Sequence, residues 1–435
     1  MKTVILGAGP AGLSAAYHLK SKHVLIEKED RVGGLARSIE KDGFIFDFAG
    51  HIFFTKNRYA DSLVRKLLDK NILFHNRNAW VFSKDTFTRY PFQANTFGLP
   101  KEVVKECVIG VIEASTNGKS GKAPKHFKEW IVKTFGGGIA KHFMLPYNKK
   151  VWATPLDKMT YEWIENRVMT PKIEEVLDGA LESKQVNFGP NSRFAYPLYG
   201  GCQALVDSFL PHLKHTDLLL CSKVVNIDTK KKIVLLESDK EVKYESMIST
   251  LPLPELINLC KKVPAEVAKT AQELMYSSVY CVNLGIDHTK ITDKNWIYYP
   301  EEDVVFQRLF IQSNASPNVA PIGKSSITAE ISHSKFKPVS KKGLIERVIK
   351  DLIKTRFLEK KDQIIFADIL DIKYGYIIFE KNRQRKLNRI KSFLRNNGIL
   401  VAGRFGEWEY YNMDHAILSG KKAAKEIKSK STSKN

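Results

Sequence analysis

The run Gly7-Ala8-Gly9-Pro10-Ala11-Gly12 constrains this chain more than any other feature. The short apolar run Thr3 to Leu6 leads into it, and the helix-compatible LSAAYHL follows. His23 to Ile26 makes a second apolar run, ending at Glu27. A G-x-G-x-x-G between a strand and a helix suits a dinucleotide. Gly7 allows the tight turn, Gly9 lets a pyrophosphate approach the backbone, and Gly12 lets helix and strand pack closely. The helix start then offers free N–H groups and the positive end of its dipole to phosphate. Glu27 follows Gly7 by 20 residues, where a carboxylate can accept hydrogen bonds from a ribose. An N-terminal α/β unit with a parallel sheet and a bound dinucleotide is the expectation.

At 435 residues the chain is long enough for two or three packed units. Later periodicity divides it. Residues 99–183 are helical in pattern, with apolar stripes at Val103 to Ile112 and in HFKEWIVKTF (126–135), then TYEWIENRV (160–168) and KIEEVLDGAL (172–181). From Cys221 to Ile248 the period turns strand-like. Val279 to Ile286, Val304 to Ile311, Ser326 to Ile331 and Gln363 to Ile369 add further strands. NGILVAGR, ending at Arg404, is a buried strand closed by glycine, and a helix is expected over His415 to Ile427. The cofactor unit is therefore discontinuous.

The balance of 69 basic against 47 acidic residues gives a net charge of +22, which favours an anionic partner. The densest basic stretch, Lys381 to Arg395, carries seven Lys or Arg and no acid. Its Leu387, Ile390 and Leu394 form one helical stripe, as in a basic helix docked on a core. A nucleic-acid or anionic-membrane binding protein has only this charge to support it. No apolar run reaches the roughly 18 residues of a membrane span. Val4 to Leu6 is too short for a signal-peptide core. The five cysteines are scattered and never C-x-x-C, so they read as buried thiols in a reducing, cytoplasmic compartment, with no metal site.

Arg31-Val32-Gly33-Gly34-Leu35-Ala36 resembles the second glycine pair of the amine-oxidase and protoporphyrinogen-oxidase flavoproteins, where the chain passes beside the FAD pyrophosphate. AGHIFF (49–54), YPFQAN (90–95), FMLPYNKKVWATPLDKM (143–159), NRV (166–168), GPNSRFAYPLYGG (189–201), WIYYPEEDVVFQR (296–308) and GRFGEWEYYNMDH (403–415) are more specific. Together they resemble the UDP-galactopyranose mutases, nearest the eukaryotic type.

That resemblance implies an α/β chain. A discontinuous Rossmann-like FAD domain (1–90, 190–270, 390–428) would carry a helical insertion (97–185) and an antiparallel substrate sheet (271–389 with 76–96), before a disordered tail (429–435). It implies a flavin-dependent isomerase that interconverts UDP-galactopyranose and UDP-galactofuranose through a flavin N5–sugar adduct on reduced FAD, with NADPH or NADH as reductant. Arg167 and Arg308 match its diphosphate-binding arginines, and His51 its flavin-side loop, in a conformational and electrostatic role. Arg77, Tyr90, Phe92, Gln93, Asn148, Trp152, Asn191, Trp296, Tyr298, Tyr376, Tyr410 and Asn412 match substrate positions. Gly7, Gly9, Pro10, Ala11, Gly12, Glu27, Lys28, Gly33, Gly34, Leu35, Gly50, His51, Val225, Gly403, Arg404 and Asp414 match cofactor positions. A mutase for another nucleotide sugar, or an oxidase or desaturase on the same fold, would share the cofactor motifs.

Overall fold

The computed structural model describes residues 2–117, 122–164, 167–183, 192–360 and 363–432. Five parallel strands form the first sheet, in the order Ile399–Val401, Ser246–Ser249, Thr3–Leu6, His23–Ile26, Thr216–Leu219. Thr3–Leu6 and His23–Ile26 are buried at every position. A parallel sheet covered on both faces needs such unbroken strands. On it lies the helix Pro10–His18, packed against the C-terminal helix Met413–Thr432. Gly420 permits that crossing, since a Cβ there would collide with the Ala11 carbonyl. The C-terminal helix continues five residues past Ile427, into the stretch expected to fray.

The second sheet has seven strands, in the order Ile364–Ile377, Tyr276–Ile286, Ser325–His333, Arg308–Ile311, Trp296–Tyr298, Ala79–Ser83, Thr86–Arg89. All neighbours are antiparallel except Trp296–Tyr298 and Ala79–Ser83, which run parallel. The strand expected over Val304 to Ile311 begins only at Arg308, because Val304, Val305 and Phe306 fill the core from a loop.

In the helical region, Lys101–Asn117 crosses Phe127–Ile139 at Gly110 and Gly136. Gly136 has φ +72°, and a Cβ on it would strike the Gly110 backbone. The described part of 160–168, which excludes 165 and 166, does not form the expected helix. The Thr160 N–H and hydroxyl both bond the Phe379 carbonyl, at 2.6 and 3.2 Å, which pins the segment to the sheet side. Among its described residues the 3-10 turn Glu162–Ile164 is found, and the Arg167 N–H closes on the Ile164 carbonyl at 2.7 Å.

The basic helix Arg383–Asn396 docks as its stripe predicts, with Leu387, Ile390 and Leu394 fully buried. Four cysteines are buried. Cys221 is not, since it turns through φ +49° at an exposed corner. No helix among the described residues is long and apolar enough to cross a membrane.

Candidate active site

The glycine-rich turn is shaped by two different demands. A Cβ on Gly12 would collide with the Gly7 carbonyl, so helix-on-strand packing requires glycine there. At Gly9 the nearest protein atom to such a Cβ is 3.7 Å away, at Gly34. Protein packing therefore does not explain Gly9, whereas a phosphate resting on the backbone does. Gly33 and Gly34 both have positive φ, and the Gly33 N–H bonds the Ala8 carbonyl at 2.8 Å, which seats the second glycine pair beside the first. Pro10 begins the helix, and Gly9 offers no side-chain cap. The first N–H groups are thus left for a ligand.

Glu27 is 7% exposed and accepts from the N–H groups of Ala8 (2.7 Å) and Glu29 (3.1 Å). The Ser222 N–H reaches the Glu27 carbonyl at 2.8 Å, bringing the run toward exposed Val225 alongside. Lys28 is exposed and faces Glu29 at 3.5 Å. The donors, the open glycine and the buried carboxylate fit FAD.

From the other end of the chain, Gly403 (φ +81°) donates its N–H to Ser419 at 2.8 Å. Asp414, in the first turn of the last helix, takes the Thr55 hydroxyl at 2.8 Å and pairs with His415 at 2.7 Å. Burial alone would raise the Asp414 carboxyl, but these partners hold it below its usual range. Asn412 caps the same turn through its carbonyl, which accepts from Ala416 at 3.0 Å.

The loop Ala49-Gly50-His51 joins the cofactor side to the seven-stranded sheet. Ala49 has φ +68°, unusual for a residue with a side chain. Gly50 packs on the Phe310 ring and donates its N–H to Glu330 at 3.2 Å. Burial, reinforced by the Arg404 charge, lowers the His51 pKa to about 4, so the imidazole is neutral near pH 7. Leu35 lies with Phe48, Ala49 and Tyr376 against Cys281 and Ile372.

Glu330 also holds Arg308. Both carboxylate oxygens contact guanidinium Nη2, at 2.8 and 2.6 Å. Burial disfavours the Arg308 charge, but Glu330 keeps its pKa well above the usual value. Arg308 Nε is buried without a partner among the described residues, and so is Arg404 Nε. Arg404 spends its other nitrogens on the carbonyls of Tyr411 and Gly375, both at 3.0 Å.

Aromatic rings surround these cations. Tyr90 stacks on Tyr298 at 4.7 Å, with the Arg77 guanidinium over Tyr90 at 4.7 Å. Trp152 meets Tyr376 edge-on (5.7 Å) and lies tilted against Tyr410 (5.8 Å). Arg167 and Arg404 both cover the Tyr410 ring, at 4.6 and 4.8 Å. Burial raises the Tyr90 hydroxyl pKa to about 12 and pushes Tyr376 up as well, so both hydroxyls are donors at neutral pH.

Several of the expected substrate residues are engaged with their protein neighbours. Asn148 accepts from Trp152 Nε1 at 3.1 Å and donates to the Met144 carbonyl at 2.7 Å, so its amide orients Trp152. Phe92 is fully buried and stacked on Phe143, leaving no face for a base. It backs the Phe143–Tyr147 stack instead. Trp296 lies between Phe310 and Phe194 and is 4% exposed. Gln93 donates to the Met169 carbonyl at 2.9 Å, tying down the segment that follows Arg167, while its Oε1 is buried and unpaired among the described residues. Asn191 lies outside the described residues.

Glu330 and Tyr147 belong to this site and were not singled out in the sequence. Tyr147 sits edge-on to Tyr298 at 5.6 Å.

Comparison with known proteins places the chain among flavoenzymes. The family model for flavin containing amine oxidoreductase matches residues 10–428. A solved structure of reduced UDP-galactopyranose mutase superposes with a TM-score of 0.93 at 30% identity, covering 98% of this chain and 93% of that one. Coproporphyrinogen III oxidase of Bacillus subtilis (strain 168) is 21% identical over 388 residues, 81% of this chain and 82% of the relative. A putrescine oxidase solved with putrescine shares the fold alone, at TM-score 0.68 and 17% identity over 99% of both chains.

Proposed function

Because the chain belongs to the flavin-containing amine oxidoreductase family, we propose that it works as a UDP-galactopyranose mutase, moving the galactose ring closure between the 5- and 4-hydroxyls with no net oxidation. The observation that carries this reading is the convergence of Arg308, Arg167 and Arg404 on Tyr298, Tyr376 and Tyr410 beside the Ala49–His51 loop. An amine or an amino-acid ammonium would be repelled by three guanidinium groups, whereas a diphosphate leaving group needs them.

Reduced FAD, bound at the glycine-rich turn, would supply an electron-rich nitrogen as the nucleophile for the anomeric carbon. Arg308, held by Glu330, presents its unpaired Nε to the diphosphate, and Arg167 approaches from the segment anchored by Gln93. Arginine suits this role because its planar fork binds phosphate oxygens in pairs. The hydroxyls of Tyr298, Tyr376 and Tyr410 donate to the same group. Arg77 and Tyr90 line the uridine end, Trp152 walls the site, and neutral His51 sits on the flavin side without taking a proton. Between departure and return the closed aromatic lining excludes water and retains UDP. NADPH or NADH is the proposed reductant, and the cytoplasm the proposed location.

The test is to load the protein with FAD, reduce it with dithionite, add UDP-galactofuranose and separate the products by chromatography. UDP-galactopyranose should form, and only with reduced enzyme. Turnover by fully oxidised anaerobic protein, or no conversion in either state, would overturn the reading.

A further inference from the structure

The basic helix Arg383–Asn396 and the C-terminal helix Met413–Thr432 flank an open cavity of about 380 Å³ at the edge of the five-stranded sheet. Its volume is in the range of small-molecule sites, about 300–1,000 Å³. The edge strand Ile399–Val401 forms part of its lining. The Gly398 carbonyl accepts from Met247 at 3.3 Å and the Ala402 N–H donates to Ser249 at 2.9 Å, so alternate residues face the neighbouring strand. That alternation turns the peptide groups of Ile399 and Val401 away from the neighbouring strand, with Ile399 buried and Val401 half-buried.

Three cations border the cavity: Lys391, Arg395 and Lys422. Two carboxylates also border it, and one of them offsets a cavity cation. Glu426 faces Arg395 at 3.6 Å, and Glu407 takes the Tyr411 hydroxyl. Among the described residues, neither Lys391 nor Lys422 has a carboxylate within ion-pair distance. Lys391 is half buried. Its pKa is lowered first by burial and further by the like charges of Arg383 and Lys422, against the pull of Glu407 and Glu409. Two lysines without an ion-pair partner that line one polar hollow are relieved by an anion. Ser392 and Asn388 add neutral hydrogen-bonding groups to the same wall.

We propose that this cavity is a second anion site, separate from the residues gathered around Gly9 and Arg308, and that it takes a phosphorylated small molecule. The phosphate would lie between Lys391 and Lys422, and the rest of the ligand toward half-buried Val401 and the Asn388–Ser392 wall. The assignment does not depend on the reaction proposed above.

Calorimetric titration of inorganic pyrophosphate into FAD-loaded protein tests it. The diphosphate clamp proposed around Arg308 can also take pyrophosphate, so the decisive background is Arg308→Ala, in which one saturable site per chain is expected to remain. Lys391→Gln and Lys422→Gln should each weaken it at least about fivefold, the equivalent of about 1 kcal/mol. Lys425→Gln, an exposed lysine of the same helix outside the cavity, should leave it unchanged. FAD content and melting temperature report folding in each variant. If Lys391→Gln fails to fold, exposed Lys422→Gln carries the test alone. The proposal is overturned by the absence of saturable binding, by equal weakening in Lys425→Gln, or by binding that disappears with Arg308→Ala but persists in Lys422→Gln.

Discussion

Arg308 and Glu330 face each other across adjacent antiparallel strands, and both carboxylate oxygens meet one guanidinium nitrogen. Nη1 and Nε are thereby left to a ligand, and the guanidinium is fixed before one arrives. Arg308→Ala should lower kcat/KM at least about tenfold, one decade being about 1.4 kcal/mol. Arg308→Lys should recover little, because an ammonium cannot reproduce the fork. Arg308→Ala also strands a carboxylate that is 1% exposed. A stability loss of about 1–3 kcal/mol is expected. Adding Glu330→Gln should return part of that stability without returning activity. Urea unfolding and steady-state kinetics on the four proteins of this cycle check both halves, with FAD content unchanged throughout.

Arg167 should behave differently. It follows a 3-10 turn, closes its N–H on the Ile164 carbonyl, and lies over the Tyr410 ring, while the segment after it is tied down through Gln93 on Met169. Arg167→Ala should cost at least about tenfold in kcat/KM and should also speed UDP release, measured by stopped-flow displacement. Gln93→Leu should reproduce the faster release with a smaller loss of kcat. Unchanged release in both variants would remove the anchoring role.

The parallel sheet was legible because its strands are short, apolar and attached to a glycine-rich turn that has few other uses. The basic helix was legible from Leu387, Ile390 and Leu394. Glu330 was not, since in SITAEISH it reads as the polar member of an alternating strand. The strand is in fact buried at every position but the last, being enclosed on both faces. A carboxylate there must find a cation, and only the register names Arg308. Phe92 and Asn148 show the converse limit. Motif position identified their neighbourhood but not whether the side chain faces the ligand or props up a residue that does. Within the described residues of 160–168 the expected helix gives way for a nonlocal reason, the tie of Thr160 to Phe379, which no local pattern encodes.

Two buried groups should oppose each other in acid. His51 titrates near 4 in the folded chain, below its ordinary value near 6.5, so the unfolded state binds more protons and stability falls as pH drops through that window. Burial raises the Asp47 carboxyl to about 6, so the folded state holds the extra proton and stability rises as pH drops from about 6 toward 4. His51→Asn should therefore flatten the acid loss, and Asp47→Asn should steepen it. Urea midpoints at several pH values between 4 and 7.5 decide this. Parallel profiles for both variants and the parent would contradict the assignments.

Gly9 and Gly12 separate cofactor binding from folding. Both belong to the same six-residue turn, and a sequence pattern treats them alike. Gly12→Ala places a methyl against the Gly7 carbonyl, between a buried strand and a buried helix where nothing can yield. It should destabilise the protein by about 1–3 kcal/mol, as overpacking does. Gly9→Ala meets no protein atom closer than 3.7 Å, and its φ of −72° suits any residue. The folded chain should lose no more than about 1 kcal/mol, the difference between glycine and alanine at a helix N-cap. The methyl would instead occupy the space where the pyrophosphate approaches the backbone. FAD affinity should therefore fall at least about tenfold, about 1.4 kcal/mol. Unfolding curves of the FAD-free variants, with FAD titrated by flavin fluorescence quenching, measure the two effects separately. A Gly9→Ala protein with undiminished FAD affinity would mean that the cofactor does not rest on this turn.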